Sequence, residues 1–257
     1  MDRLDVWALR PAAPRLGLRA GQTLPGVNVV NTFVLLHYEA VTQTRVRRAG
    51  YHHGDLPNAL ADAATDLARR GGPEAVVLRE AARQVGVSAA AAYRHYVGHG
   101  ELLAAVKDRA LDALADAMQH GLDGGEPMAD PAADAVRRFT NLGRAYVGFA
   151  LANPGLFHTA FCRSQAGRTE GEVTARIAAT RPYQILSVSL DDLVAAGLLD
   201  PARRAVAPIA FWAAVHGLAT LLVDGPLAAM TEQEQNLAIQ RTLDILIEGI
   251  GSTPHPA

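Results

Sequence analysis

From Asp55 onward, apolar residues recur at three- and four-residue intervals, the period of amphipathic helices. Leu56, Leu60, Ala63, Ala64 and Leu67 form one stripe behind Asp55, a residue suited to capping. Arg69 and Arg70 suit the negative end of that helix, and Gly71-Gly72-Pro73 stops it. A short second helix is predicted over 78–85, broken at Gly86, and a third over 89–96, capped by Ser88. A longer fourth over 101–120 carries Leu102, Leu103, Val106, Leu111 and Leu114. It is expected to end at Gly121 and the turn-rich stretch 123–131, the predicted domain boundary. The second half reads as helices over 132–152, 154–161, 170–196, 201–224 and 231–250, with Pro208 kinking or dividing the fourth of these. No run there alternates with period two for long enough to demand a sheet. The pattern predicts an all-α chain.

Residues 1–44 differ from this. A Pro/Gly/Arg-rich stretch, 10–26, precedes one β-prone apolar run, 27–36, and no helical period appears. The segment reads either as a flexible extension or as sequence upstream of the true beginning; in both cases the core is expected to do without it. The apolar run is interrupted by Asn28, Asn31 and Thr32, falls far short of a bilayer span, and has no small-residue cleavage site after it. With 49% hydrophobic and 19% charged residues the chain can bury a core. A single cysteine, Cys162, excludes an internal disulfide framework and a four-cysteine zinc site, and fits a reducing, cytoplasmic setting.

The net charge of −2 is unevenly spread: residues 45–109 carry +3 and residues 110–257 carry −6. A basic segment on an acidic body favours a polyanion at one end. The basic segment holds the most informative stretch of the chain, 78–96. Ala81 and Ala82 let two helices cross closely, Gly86 supplies a positive φ, Val87 plugs the gap and Ser88 caps the next helix. A helix held in this way can enter a major groove.

These residues resemble the TetR-type family of bacterial transcriptional regulators. The resemblance runs from Tyr51 to Leu114 through Leu78-Arg79-Glu80-Ala81-Ala82 and Gly86-Val87-Ser88, then Tyr93, His95-Tyr96 and Leu102-Leu103. Trp212, His216 and Gly217, with Asp224-Gly225 beyond, resemble the Trp–His–Gly signature of one subfamily's C-terminal domain, and 152–157 resembles its inter-helix corner. The resemblance implies a homodimer on a near-palindromic double-stranded DNA operator. Residues 45–120 would be a three-helix helix-turn-helix module with its linking helix, and 132–251 a helical bundle for ligand binding and dimerisation. Arg79 would meet a base or phosphate, and Ser88, Ala89, Ala90 and Ala91 would face the bases. Tyr93 and His95 would hold phosphates, Arg94 would reach either, and Arg45, Arg47 and Arg48 would form a basic arm.

The sequence departs from the family at four places. Val77 stands where Ser or Thr caps the second helix, His99 where a lysine contacts phosphate, and Gly98 where a capping residue precedes helix four. Residues 89–92 are all alanine, which offers no hydrogen bond and touches only a thymine methyl. Direct readout is therefore expected to be modest, with phosphate contacts and DNA shape discriminating more. Tyr93 is open to packing as much as to phosphate contact, and Tyr96 reads as packing.

In the second half Phe149, Phe157, Phe161, Tyr183, Trp212 and His216 are candidates for lining a pocket for an unidentified small-molecule effector, or for plain core. Residues 201–224 and 231–250 are candidate dimer helices, the latter carrying Leu237, Leu243, Leu246, Ile247 and Ile250 as one stripe. Chemistry of another class finds no footing: no nucleophile–base pair, no metal cluster, no cofactor motif, and adjacent Asp191 and Asp192 must point to different helix faces. The expected function is a ligand-responsive DNA-binding regulator, a repressor. The alternative is the same fold as a ligand-binding dimer that has lost sequence-specific DNA binding.

Overall fold

A computed structural model describes residues 55–162 and 175–251, and every regular element among them is helical. Arg45, Arg47 and Arg48, with the whole of 1–44, lie outside the described residues. Three helices open the described chain: α1 (Leu56–Gly71), α2 (Leu78–Val85) and α3 (Ala89–Ala92). A 25-residue α4 (His99–Asp123) leads into α5 (Pro131–Ala152), α6 (Pro154–Phe161), α7 (Arg181–Ala195), α8 (Ala207–Val223) and α9 (Glu232–Gly251).

The turn between α2 and α3 forms as the sequence predicts. Gly86 adopts φ 80° and ψ 27°, and the Val87 amide donates back to the Ala82 carbonyl at 3.0 Å, closing the end of α2. Ser88 accepts from the Ala91 amide at 3.2 Å. Neither Val77 nor Gly98 provides a side-chain cap. Deprived of a capping partner, Glu80 turns to Arg83 at 2.6 and 2.8 Å, which holds its carboxyl down at about 2.

Four boundaries differ from the pattern-based expectation. Helix α3 is one turn long rather than 89–96, because Arg94 and His95 bond three residues back while Tyr96 folds inward to donate from its hydroxyl to the Pro57 carbonyl at 3.0 Å. Helix α4 begins at His99, where Glu101 reaches back to the Val97 amide at 2.7 Å. It runs through Gly121 instead of stopping there: a Cβ at Gly121 would sit 2.8 Å from the Asn141 carbonyl oxygen, so this glycine lets α4 and α5 close together. The predicted helix 170–196 is interrupted at 179–180 within its described part, and α7 restarts at Arg181-Pro182. Pro208 divides 201–224, as anticipated, into a 3-10 turn (Pro201–Arg203) and α8, which takes the proline in its first turn.

One continuous core joins these elements. Leu60, Ala64, Ala81, Ala92 and Leu102 fill the space beneath α1–α3, and Leu114, Phe139, Tyr146, Leu190, Phe211 and Leu243 fill the C-terminal bundle. Two elements link the regions. The N-terminal half of α4 packs on α1 through Leu102 and Val106, and its C-terminal half packs on α5. The start of α6 presses on the last turn of α1, where a Cβ at Gly155 would collide with the Ala68 carbonyl and lie 2.7 Å from that of Arg69. No helix among the described residues is long and apolar enough to cross a membrane.

Candidate nucleic-acid interface and internal cavity

The surface around α3 is defined by what the turn leaves outside. Ala92 is fully buried and Tyr96 nearly so, anchoring the short helix from below. Ser88, Ala90, Tyr93, Arg94, His95 and His99 are exposed, while Ala89 and Ala91 are half-buried. Tyr93, Arg94 and His95 stand on the tight turn after α3 rather than within the helix. Tyr93 is 44% exposed, so packing does not account for its ring. The side chains of Arg79, Arg94 and His95 make no hydrogen bond or ion pair to a described residue, whereas that of neighbouring Arg83 is engaged by Glu80. The result is a cationic edge that carries the exposed methyl of Ala90, with Arg79 on the preceding α2.

The C-terminal bundle holds a cavity of about 50 Å³. Its walls are Leu111 and Met118 of α4, Phe139, Leu142, Gly143 and Tyr146 of α5, and Phe161 at the end of α6. Ile177, Thr180, Pro182, Tyr183 and Leu186 close it from the α7 side, and Phe211, Trp212, Val215 and Leu243 from α8 and α9. No charged side chain among the described residues lines it.

Of the residues singled out from sequence, Phe161, Tyr183 and Trp212 line this cavity, and Phe149, Phe157 and His216 do not. Phe149 shares the face of α5 that carries Phe139, Leu142 and Tyr146, but one helical turn farther along, past the cavity's end. Phe157 and His216 stand behind the wall, with their rings 5.1 Å apart and 5.2 and 4.6 Å from that of Phe161.

Tyr146, which the sequence did not mark, ties the two groups together. The Trp212 indole N–H donates to the Tyr146 hydroxyl at 3.2 Å, and that hydroxyl shares a hydrogen bond of 2.9 Å with His216 Nδ1. Burial lowers the His216 pKa below its ordinary 6.5 and pushes the Tyr146 phenol well above its usual range, so both are neutral at neutral pH. Only a hydroxyl at position 146, seventy residues from His216, could have revealed this; tyrosine on a buried stripe is otherwise ordinary core.

Other predicted features separate. Asp191 accepts from Arg204 at 2.7 Å, and Asp192 pairs with Arg138 at 3.4 Å, so the adjacent carboxylates diverge. The expected stripe on α9 splits: Leu243 is buried over Gly143, Leu246 and Ile247 are half-buried against the core, and Leu237 is 57% exposed, while the side chain of Ile250 lies outside the described ones. No group of three potential metal ligands occurs among the described residues.

Two family models match the sequence: "Bacterial regulatory proteins, tetR family" over residues 60–106 and "Tetracyclin repressor-like, C-terminal domain" over residues 139–246. No curated protein matches it. Among solved structures, a protein of unknown function from Rhodococcus sp. RHA1 is 27% identical, with TM-score 0.62 over 79% of this chain and 99% of that one. A putative transcriptional regulator from Pseudomonas aeruginosa PAO1 is 21% identical, with TM-score 0.57 over 79% and 96%. A tetR-family regulatory protein from Rhodococcus RHA1 is 18% identical, with TM-score 0.53 over 77% and 98%.

Proposed function

We propose that this chain, which has the fold and domains of a TetR-family transcriptional regulator, acts as a homodimeric, effector-responsive repressor of the Trp–His–Gly type. Residues 45–120 bind operator DNA, and 132–251 hold the effector and the dimer interface. The observation that carries this reading is α4. One uninterrupted helix, about 37 Å long at 1.5 Å per residue, begins beneath the α1–α3 module with Leu102 and ends as a cavity wall with Leu111 and Met118. Whatever widens the cavity tilts a rod whose other end sets the position of α3. In a dimer, that changes the fit of two α3 edges to major grooves spaced about 34–36 Å apart.

The exposed apolar residues Ile209 and Leu221 on α8 and Leu237 and Ile245 on α9 support a two-fold contact between these helices. At the DNA, Arg79, Tyr93, Arg94, His95 and His99 contact phosphates or base edges, and Ala89, Ala90 and Ala91 meet thymine methyls. The protein acts in the cytoplasm, needs no cofactor and binds rather than transforms its effector.

Fluorescence anisotropy on the DNA upstream of the protein's own gene, across a salt series, tests this. A site at least about tenfold tighter than bulk DNA supports it, and uniform, steeply salt-dependent binding to every sequence overturns it. The one-turn α3 and its methyl surface favour a second reading, a ligand-binding dimer without sequence-specific DNA affinity. Tyr93→Ala and Arg94→Ala separate the two, since only an operator binder weakens.

A further inference from the structure

Resting on the cavity's being the effector site, we propose that its ligand is an uncharged, single-ring aromatic molecule with at most one hydroxyl, held against Tyr183. The polar groups of the lining decide its charge. Trp212 N–H and the Tyr146 hydroxyl are consumed by each other and by His216, and the Thr180 hydroxyl donates to the Ile177 carbonyl at 2.7 Å. The Tyr183 hydroxyl is left, with no hydrogen bond to a described residue. Three described cations around the bundle are already engaged. Arg181 is held by Asp116 at 2.9 Å and Asp112 at 3.3 Å, Lys107 by the Cys162 carbonyl, and Arg138 by Asp192. A carboxylate placed inside would lose its water and find no cationic partner among the described lining residues, a penalty that burying a ring does not offset.

The shape of the lining selects a ring. Phe139, Tyr146, Phe161, Tyr183, Phe211 and Trp212 all line it, and Phe139 already meets Phe211 edge-on, the packing that an aromatic guest extends. Size limits it to one ring. An apolar cavity of roughly 150 Å³ holds benzene, and this one, at about 50 Å³, must open to do so. Met118, Leu111 and Leu186 are the flexible walls able to turn aside. Because Met118 and Leu111 belong to α4, admission of the ring and displacement of the rod are one event.

The test uses Trp212 as its own reporter. The chain has two tryptophans, so Trp7→Phe leaves Trp212 alone. Toluene, p-cresol and benzoate are titrated at pH 8, where the first two are neutral and the third is ionised, with calorimetry on the unaltered chain in parallel. Saturable changes in Trp212 emission are expected with toluene and p-cresol, p-cresol binding more tightly and benzoate at least about tenfold more weakly. Tyr183→Phe removes the advantage of p-cresol over toluene and leaves toluene unchanged. Benzoate binding as well as toluene overturns the proposal, as does failure of both neutral rings to saturate in both measurements. The same titrations on operator-bound protein keep the two readings apart. Toluene binding without DNA release leaves the ligand class standing and removes the effector role, and release by benzoate alone does the reverse.

Discussion

The α1–α3 module and the C-terminal bundle fill their interiors with different side chains. Beneath the module, helices cross on alanine: Ala61, Ala64, Ala68, Ala81, Ala82 and Ala92 are each at most 1% exposed. Backbones approach closely and side chains have few rotamers to exchange. In the bundle the same task falls to Phe139, Tyr146, Phe157, Phe211 and Trp212, large rigid rings that meet edge-on and leave a void. Small residues make a body that moves as a unit, and large ones leave space that a guest can enlarge. A regulator of the proposed kind requires both, since a signal that deforms its reading head would be lost before it reached the DNA.

The largest test of this contrast pairs two enlargements. Ala82→Leu forces new methylenes into the closed module and is expected to destabilise by up to about 3 kcal/mol. Val215→Leu adds one methylene at the cavity wall and should fall within about 1 kcal/mol of neutrality. Urea unfolding of both variants measures the difference, and equal losses would remove the distinction between the two interiors.

Next in size is Tyr146→Phe, which strands the Trp212 N–H and His216 Nδ1 at once and should cost about 1–2 kcal/mol in thermal or urea unfolding. A neutral result would mean that the three-residue chain does not hold α5 to α8. On the module side, Ser88→Ala removes the cap of a helix only one turn long, for an expected loss of about 1 kcal/mol. Operator affinity should fall with it, read by anisotropy, because α3 has no second turn to hold its alanines in place.

The smallest effect is a pH dependence confined to the bundle. His216 is lowered from 6.5 in the folded state by burial, so the unfolded chain binds the proton more readily. Its contribution is present in full above pH 6.5 and is lost as the pH falls from there through the lower folded-state value. Melting temperatures between pH 8 and pH 5 should therefore decline more steeply for the natural chain than for His216→Asn; identical slopes would place the pH sensitivity elsewhere.

Much of the fold was legible in the chain itself. The helix-turn-helix followed from Gly86, Ser88 and the paired small residues Ala81 and Ala82, because positive φ, capping and close crossing are local demands that few residue types meet. Pro208 marked the start of α8 for the same kind of reason. Gly121 was misleading because a glycine that ends a helix and one that admits a neighbouring helix look alike until the neighbour is known.

The site divided along the same line. Periodicity placed Phe149, Phe157, Phe161 and Trp212 on buried faces, yet it carried no information on which faces meet around a void and which back onto one another. That Phe149 lies a turn too far, that Leu243 turns inward over Gly143, and that Tyr146 joins Trp212 to His216 were decided only when α5, α6, α8 and α9 packed together. The sequence by itself determined the helices, their order and the exposed edge around α3, since these depend on contacts within a few residues. The cavity and its neutral lining exist only between residues far apart in the chain, and tertiary packing alone created them.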